Sequence, residues 1–221
     1  QKIERVRALG GGWVDIELVG DVFDDAQREA VWRSGVDGSI YVHPFDDPTV
    51  IEGQGTVGIE MLEDAGDSID IMFLPVGGGG LAAGVGSWVK AVSPKTEIIG
   101  VQPEGAPSMV EALRSGHPVR LETIDAFTDG AAVQRVGDLS FQICREVLDE
   151  VVTVPEGRLC STILRLYNEH GIIVEPAGAL AIAALDDFRD RVTGKAVACL
   201  VSGGNNDFRR IEEILETSGQ S

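Results

Sequence analysis

A run of four glycines is the feature of this sequence with the most chemical content. Gly77 to Gly80 lie between an apolar segment that ends at Pro75 and a helical pattern that begins at Leu81. Without side chains, the peptide N–H groups of such a turn can approach a ligand closely, and at the start of a helix they favour a negative charge. The run therefore predicts an anion site, with a plain strand-to-helix turn as the alternative. The turn matches neither the dinucleotide fingerprint G-x-G-x-x-G nor the P-loop ending G-K-[ST].

A second glycine-containing turn follows an apolar segment near the end of the chain. Ser202 closes that segment and precedes Gly203 and Gly204. Taken alone, Ser202, Asn205 or Asp207 could instead cap the last helix, so both interpretations stay open at this point.

Charge and cysteine usage restrict the class of protein. The formal net charge of −18 disfavours nucleic-acid binding, and no apolar run is long enough to cross a membrane, so we expect neither partner. Cys144, Cys160 and Cys199 are single residues among apolar neighbours, without C-x-x-C spacing. This usage is typical of buried cysteines in a reducing compartment and favours a cytoplasmic location.

Strands and helices that alternate along the chain should carry the two turns. The predicted strands are Val14–Val19, Ser39–Val42, Ile69–Pro75, Glu97–Val101, Val151–Val154 and Ala196–Val201. The predicted helices are residues 1–9, Asp24–Ser34, a helix ending near Leu62, Leu81–Val92, Glu156–His170, Pro176–Phe188 and Arg209–Glu216. Residues 103–140 read as irregular. The alternation predicts an α/β fold with a mostly parallel, doubly wound sheet.

A turn with the sequence HPFDDP, residues 43–48, is the best candidate for a domain boundary. We expect residues 1–45 to form a small leading piece with a βαβ pattern. Residues 46–221 are then the large domain that carries both glycine turns. The sequence has no initiating Met, so Gln1 is not expected to be the natural start.

Several motifs in one unbroken order carry a resemblance to a known family. They are HPFDD, EGQGTVG, VGGGGLAAGV, IDAFTDGAAVQRVGDLSF, GIIVEPAGALAIAAL and VSGGNND. These segments resemble the corresponding stretches of threonine dehydratases within the fold-type II pyridoxal-phosphate family, over nearly all of the chain. The resemblance implies a fold of the tryptophan synthase β type, in which residues 1–45 are the remainder of an incomplete small domain.

The same resemblance implies a cofactor, pyridoxal 5'-phosphate, and a set of residues that bind it. Gly77 to Gly80 and the amide of Leu81 are expected to hold the phosphate, and the Ser202 hydroxyl is expected to face the pyridine nitrogen. Gly130 and Glu175 resemble residues that line the ring, although a turn at Gly130 and a helix-terminal charge at Glu175 are alternatives. A neutral hydroxyl favours a weaker electron sink than a carboxylate would, which suits elimination of water from an amino acid.

The resemblance also indicates what this chain does not contain. Family members hold the cofactor through a lysine in a Ser-x-Lys segment and pack its ring against an Asn in a Ser-x-Gly-Asn-His loop, and both lie upstream of the residues matched here. The four lysines, Lys2, Lys90, Lys95 and Lys195, fall on predicted helices or turns with solvated surroundings. We therefore assign no catalytic residue in this chain and expect a missing N-terminal segment of the same protein as a partner.

A metal site is not expected. In a related branch, the serine racemases and some dehydratases, a divalent ion binds two acidic side chains and a carbonyl in the loop after one strand. Here Gln102 and Ser108 occupy the positions of the carboxylates, and a hard cation requires more charged oxygen than they offer. His43, His117 and His170 lie in turns or at a helix end and are interpreted as structural.

The implied activity is deamination of threonine, with serine as a second candidate substrate, to 2-oxobutanoate and ammonia at the first step of isoleucine biosynthesis. Two alternatives stay open. One is a serine racemase or a β-replacement enzyme on the same scaffold, and the other is a lysine-free interaction module without catalysis. We also expect a homo-oligomer.

Overall fold

Four parallel strands and ten α-helices form the part of the chain that the computed structural model describes, residues 2–20, 23–66 and 68–219. The strands are β1 (Ile71–Pro75), β2 (Glu97–Pro103), β3 (Glu150–Val154) and β4 (Val197–Cys199). The helices are α1 (Lys2–Gly10), α2 (Phe23–Asp37), α3 (Pro48–Ala65), α4 (Gly80–Val92), α5 (Ser108–Ser115), α6 (Asp138–Val147), α7 (Glu156–His170), α8 (Pro176–Ala183), α9 (Arg189–Val192) and α10 (Ile211–Ser218). Among the described residues, no helix is long and apolar enough to span a membrane.

The sheet has the strand order β3-β2-β1-β4, and each adjacent pair is parallel. Its central strand β1 is apolar on both faces, as a parallel sheet covered on both sides requires. Ile71 and Phe73 of β1 pack with α7, α8 and α10, whereas Met72 and Leu74 pack with α3, α4 and α6. All four side chains are fully buried, and each contributes about 1.5–3 kcal/mol through burial. The predicted α/β class with a parallel sheet is confirmed.

The strand order places a switch point beside β1. The chain proceeds from β1 to β2 and β3 on one side, while β4 pairs with β1 on the other side. The loops that follow β1 and β4 therefore leave the same edge of the sheet next to each other. In open α/β sheets, ligands bind in the crevice at such a point.

The two strands predicted near the N-terminus are wrong. Residues 14–19 and 39–42 lie outside helices and strands, and the four-stranded sheet includes neither. A strand requires a neighbour that completes its hydrogen bonds, and the described residues offer none there. The first helix is confirmed from Lys2, with Gln1 outside the described residues. The boundary between residues 45 and 46 stays a prediction.

The stretch predicted as irregular contains a complete helix, and one predicted helix is interrupted. Residues 103–140 include α5 and the first residues of α6. The helix predicted over Pro176–Phe188 changes into a 3-10 turn at Ala184–Phe188, after which α9 begins. The N-terminus of α6 depends on a distant residue, because Asp46 accepts from its amides. The first amides of α5 instead donate to Gln102, a side chain on the preceding strand β2.

The turn before α3 connects three parts of the structure through its side chains. Asp47 caps α3, accepting hydrogen bonds from the amides of Thr49 and Val50 at 2.8 and 3.0 Å. Asp46 instead accepts from the amides of Asp138 and Ser140, both at 2.9 Å, and so caps α6 across more than 90 positions of sequence. This turn fixes α6 against the start of α3.

His43 organises the same turn from within. Its Nδ1 accepts hydrogen bonds from the amides of Phe45 and Asp46 at 3.3 and 2.8 Å, and its ring contacts the Phe45 ring edge-on at 4.6 Å. Burial lowers the pKa of His43, while Asp46 and Asp47 act in the opposite direction. A proton on Nδ1 would remove the acceptor that both amides use.

Replacing Asp46 with Ala should lower the free energy of unfolding by about 2 kcal/mol, because it leaves the first amides of α6 without an acceptor. Urea unfolding of the protein measures the change. Asp47→Ala is the matched control, with a loss of about 1 kcal/mol expected for a local cap. Equal losses in the two variants would contradict the long-range role of Asp46.

Replacing His43 with Asn should weaken the pH dependence of stability. Because the folded protein lowers the pKa of His43, the unfolded chain binds more protons, so stability present above about pH 6.5 is lost as the pH falls. Asn keeps an acceptor near the position of Nδ1 and does not titrate. Urea midpoints measured at about pH 7.5 and about pH 5 should therefore fall less in His43→Asn than in the wild type. A decline of the same size in both proteins would assign the pH dependence to other groups.

Candidate functional site

A cleft of about 330 Å³ opens at the switch point of the sheet. It gathers all the residues that the sequence predicted to hold the cofactor: Gly77, Gly78, Gly79, Gly80, Leu81, Gly130 and Ser202. These residues come from three separate stretches of the chain, the loop after β1, the turn before α6 and the segment after β4. Their binding roles remain predictions, but their arrangement in one cleft is a property of the fold.

The amides at the start of α4 have no acceptors within the protein. In the described part of the chain, the N–H groups of residues 77–82 donate to no backbone or side-chain acceptor. Gly78, Gly79 and Gly80 are buried, and buried N–H groups without an acceptor are rare and costly. Such a row of donors at a helix N-terminus matches the oxygens of a phosphate. The chain's own residues therefore fit the phosphate of the implied cofactor.

The carbonyl groups of the same loop are bonded on the protein side. The Gly78 carbonyl accepts from the Gly137 amide at 3.2 Å, and the Gly79 carbonyl accepts from the Ala83 amide at 2.8 Å. Gly79 adopts a φ of +100°, a conformation that L side chains rarely reach. A side chain there would also contact Met109 and Ser140 at 2.9 Å. Glycine at this position allows the loop to direct its carbonyls inward and leave its amides free.

Ser202 and Gly130 approach the cleft from its other sides. Ser202 is exposed, and its hydroxyl has no hydrogen-bond partner among the described residues. Gly130 lies so close to α8 that an added Cβ would be 2.9 Å from the Ala177 Cβ and 3.1 Å from a Glu175 carboxylate oxygen. The Glu175 amide donates to the Gly203 carbonyl at 3.1 Å, which holds the Ser202 segment against the start of α8.

Asp207, and not Ser202, makes a hydrogen bond near the start of the last helix. Asp207 accepts a hydrogen bond from the Arg209 amide at 3.1 Å, in the turn that leads into α10. Of the residues considered as caps, Asp207 therefore bonds nearest to that helix, while Ser202 remains available to the cleft.

Prediction from the sequence missed the aromatic side of the cleft. Phe45 lies against the glycine loop, and an added Cβ at Gly78 would be only 2.3 Å from its ring. Phe23 and Phe45 contact each other with ring centroids 5.7 Å apart, and both line the cleft. The HPFDD motif contained Phe45, but a turn sequence alone gives no signal that its ring reaches a loop 33 residues later in the chain.

Lysines and cysteines do not supply a nucleophile to the cleft. None of the described residues that line it is a lysine or a cysteine. Lys2 pairs with Asp129 at 2.7 Å on the surface, and Lys90 with Asp149 at 2.6 Å. Burial raises the pKa of the Cys144 thiol to about 12, so it carries no thiolate near neutral pH.

The loop where a related branch binds a divalent ion contains a neutral hydrogen-bond network. Gln102 and Ser108 are both fully buried, and the Gln102 amide donates to the Ser108 hydroxyl at 3.4 Å. Among the described residues, no group of three or more His, Cys, Asp or Glu side chains is placed to hold a metal ion.

Comparisons with known proteins agree with this geometry. A profile of the family described as pyridoxal-phosphate dependent enzyme matches residues 1–203. The chain is 49% identical to the biosynthetic L-threonine dehydratase of Halalkalibacterium halodurans and 47% identical to that of Bacillus subtilis, in each case over 99% of this chain and 52% of the relative. The chain thus spans about half the length of the curated relatives it matches.

Solved structures of a threonine deaminase and a serine racemase are also similar to this chain over nearly all of its length. The processed form of threonine deaminase isoform 2 from Solanum lycopersicum superposes with a TM-score of 0.90 and 43% identity, covering 99% of this chain and 63% of that one. Maize serine racemase superposes with a TM-score of 0.85 and 28% identity, covering 97% and 67%. The family profile, the extent of these matches and the amides left free for a phosphate together show that this chain belongs to the pyridoxal-phosphate dependent enzymes.

Proposed function

We propose that this chain is the phosphate-binding part of a pyridoxal-phosphate-dependent lyase that deaminates threonine to 2-oxobutanoate and ammonia, the first step of isoleucine biosynthesis. Serine is the second candidate substrate. The observation that carries the proposal is the row of acceptor-free amides, residues 77–82, that shares a cleft with Ser202 and Gly130. The similarity to threonine dehydratases described as biosynthetic supports the substrate and the pathway.

The glycine loop would hold the cofactor phosphate through backbone donors alone. The protein carries a formal net charge of −18, so its overall field does not attract a phosphate. Amides fixed at the N-terminus of α4 supply a local positive potential instead. Because no lysine or arginine lines the described cleft, affinity for phosphate depends on the geometry of the loop.

Ser202 would act at the ring of the cofactor. When bound, pyridoxal phosphate supplies an electron sink for a bond that breaks at the amino-acid α-carbon. The Ser202 hydroxyl is neutral and can donate to or accept from the ring nitrogen without adding charge there. This keeps the sink weak, which favours rapid loss of the β-hydroxyl of threonine.

A segment outside this chain would supply the lysine and cover residues 2–45. The described part of those residues exposes large apolar side chains, among them Leu9 at 90%, Trp13 at 97% and Ile40 at 90%. Neither α1 nor α2 has a buried residue. Large apolar side chains exposed in such number favour a contact region. The partial coverage of the relatives agrees with a missing segment that completes both the small domain and the active site.

A racemase or a lysine-free interaction module is the competing interpretation. Similarity to maize serine racemase favours the first of these. The reading frame upstream of Gln1 decides the second, because a Ser-x-Lys segment there indicates an enzyme and its absence indicates a module.

We also propose a cytoplasmic homo-oligomer, and the three cysteines support a reducing compartment because all are free.

The complete protein should convert threonine into 2-oxobutanoate, whereas residues 1–221 alone should form none. The reason is the absence of a lysine from the described cleft. Keto-acid analysis by chromatography measures the product, and chiral analysis of the remaining amino acid detects racemisation. Formation of D-allo-threonine from threonine, or of D-serine from serine, without keto acid would replace the lyase with a racemase. Cofactor reduced onto Lys2, Lys90, Lys95 or Lys195 by borohydride would place the covalent chemistry within this chain.

Replacing Ser202 with Asp in the complete protein should slow deamination by about tenfold, equal to about 1.4 kcal/mol in activation free energy. A carboxylate would keep the ring nitrogen protonated and strengthen the electron sink, so transamination-like side products should increase. Ser202→Thr, which retains the hydroxyl, serves as the control and should keep the wild-type ratio of products. If Ser202→Asp leaves the ratio of keto acid to transamination-like side products unchanged, Ser202 does not act at the ring nitrogen.

A further inference from the structure

A single side chain connects the end of β1 with the start of α5 in the interior of the protein. Gln102 lies on β2 and is fully buried. Its Nε2 donates to the Val76 carbonyl at 3.3 Å, and its Oε1 accepts from the amides of Met109 and Val110 at 2.8 and 3.0 Å. The cofactor role proposed above uses none of these contacts directly.

The bond to Val76 bears on the orientation of the glycine loop. The Val76 amide extends the sheet by donating to the Val101 carbonyl at 2.8 Å, so Val76 is the last residue held by the β1–β2 ladder. Its carbonyl shares a planar trans peptide with the Gly77 amide, and the two groups point in opposite directions. Holding the carbonyl toward Gln102 therefore directs the Gly77 N–H away from Gln102. Gly77 is the first of the six residues whose amides have no acceptor.

The other end of Gln102 is fixed by α5. That helix has no side-chain cap from its own N-cap residue, Pro107, and the Gln102 oxygen accepts from two of its first amides instead. Ser108, also fully buried, takes the second proton of the side-chain amide at 3.4 Å. Both ends of the Gln102 side chain are thus constrained, and rotation of the amide would break every contact at once.

The network has no net charge. Its members are a side-chain amide, a hydroxyl and backbone groups, and no Asp, Glu, Lys or Arg side chain bonds to Gln102 among the described residues. A buried neutral amide requires no counter-ion, whereas a buried carboxylate at the same place would need a cation. The described partners of Gln102 are therefore neutral groups that require no counter-ion.

We propose that Gln102 is a positioning residue for the phosphate-binding loop, which it aligns by holding the peptide between Val76 and Gly77. This inference rests on the proposed function, because it concerns the affinity of the loop for a cofactor phosphate. Gln102 does not contact the cleft, so its effect passes through Val76.

The test compares two probes in the complete protein, pyridoxal phosphate and pyridoxal. Both carry the same pyridine ring. In water pyridoxal closes to a hemiacetal through its 5'-hydroxymethyl group, but this difference is the same for every variant. The change between variants in the ratio of the pyridoxal to the pyridoxal phosphate dissociation constant therefore isolates the phosphate. Gln102→Leu should reduce that ratio by about tenfold, the effect of one misaligned hydrogen-bonding group in a buried loop. Adding magnesium or EDTA should change the ratio neither in the wild type nor in the variant.

Thr96→Val is the matched control. Thr96 precedes β2 at the opposite end of the same strand, is 1% exposed, and donates through Oγ1 to the Ile69 carbonyl at 2.7 Å. Its removal also breaks a buried hydrogen bond, so the melting temperature should fall in both variants. Only Gln102→Leu should lose preference for the phosphate.

A second variant, Gln102→Glu, tests whether residue 102 must donate to the Val76 carbonyl. It also replaces Gln102→Leu if that variant does not fold. An ionised Glu keeps the acceptor for α5 but cannot donate to Val76, whereas a protonated Glu can. Burial without a cation partner raises the pKa of this carboxyl. The phosphate preference of the variant, measured relative to the wild type at each pH, should therefore equal that of the wild type while the introduced carboxyl is protonated and fall as the pH rises and the carboxyl ionises. A preference equal to wild type at every pH, or an equal loss in Thr96→Val, would overturn the positioning role. A wild-type protein that does not distinguish pyridoxal phosphate from pyridoxal would instead overturn the proposed function.

Discussion

The amides at the start of α4 impose the central constraint on this structure. Gly78, Gly79 and Gly80 are buried, and their N–H groups have no acceptor in the described chain. Each such group costs about 1–3 kcal/mol, and a whole domain is stable by only about 5–15 kcal/mol. The fold must therefore compensate elsewhere, and the burial of β1 and of β2 from Ile98 onward contributes to that compensation.

Backbone donors explain how an acidic chain can recognise a phosphate. Lys2 is already paired with Asp129, which lines the cleft, and Arg210 pairs with Glu213 and donates to the Phe127 carbonyl. Recognition then depends on the direction of peptide dipoles, which side-chain motion cannot alter. In this loop the Gly78 and Gly79 carbonyls are bonded within the protein, which leaves the amides of residues 77–82 free for a ligand.

The sequence predicted those parts of the structure that depend on local patterns. The apolar runs of β1 and β2, the helix Glu156–His170 and the glycine loop were all recognisable, because residue spacing alone specifies them. The start of α6 was not, because its amides are satisfied by Asp46 from another part of the chain. The start of α5 was not, because its amides are satisfied by the buried side chain of Gln102 on β2 and not by a cap from its own N-cap residue. The glycine residues of the cleft form a local motif that the sequence alone predicts. Phe45 contacts them only in the folded structure, so the sequence gives no sign of that contact.

The leading residues show a different limit of sequence patterns. Ile3, Val6 and Leu9 have the spacing of an amphipathic helix, and α1 forms there, yet Val6 and Leu9 remain 46% and 90% exposed. Residues 14–19 have the composition of a strand but no neighbour to pair with in the described chain. An apolar pattern encodes the need for a partner and does not say whether that partner lies in the same segment. After the HPFDDP turn, the apolar residues of the strands and helices pack into the two cores beside the sheet. Before that turn, neither α1 nor α2 has a buried residue. This contrast is the physical argument for the predicted domain boundary there, between a part that carries its own core and a part in which neither helix buries a residue.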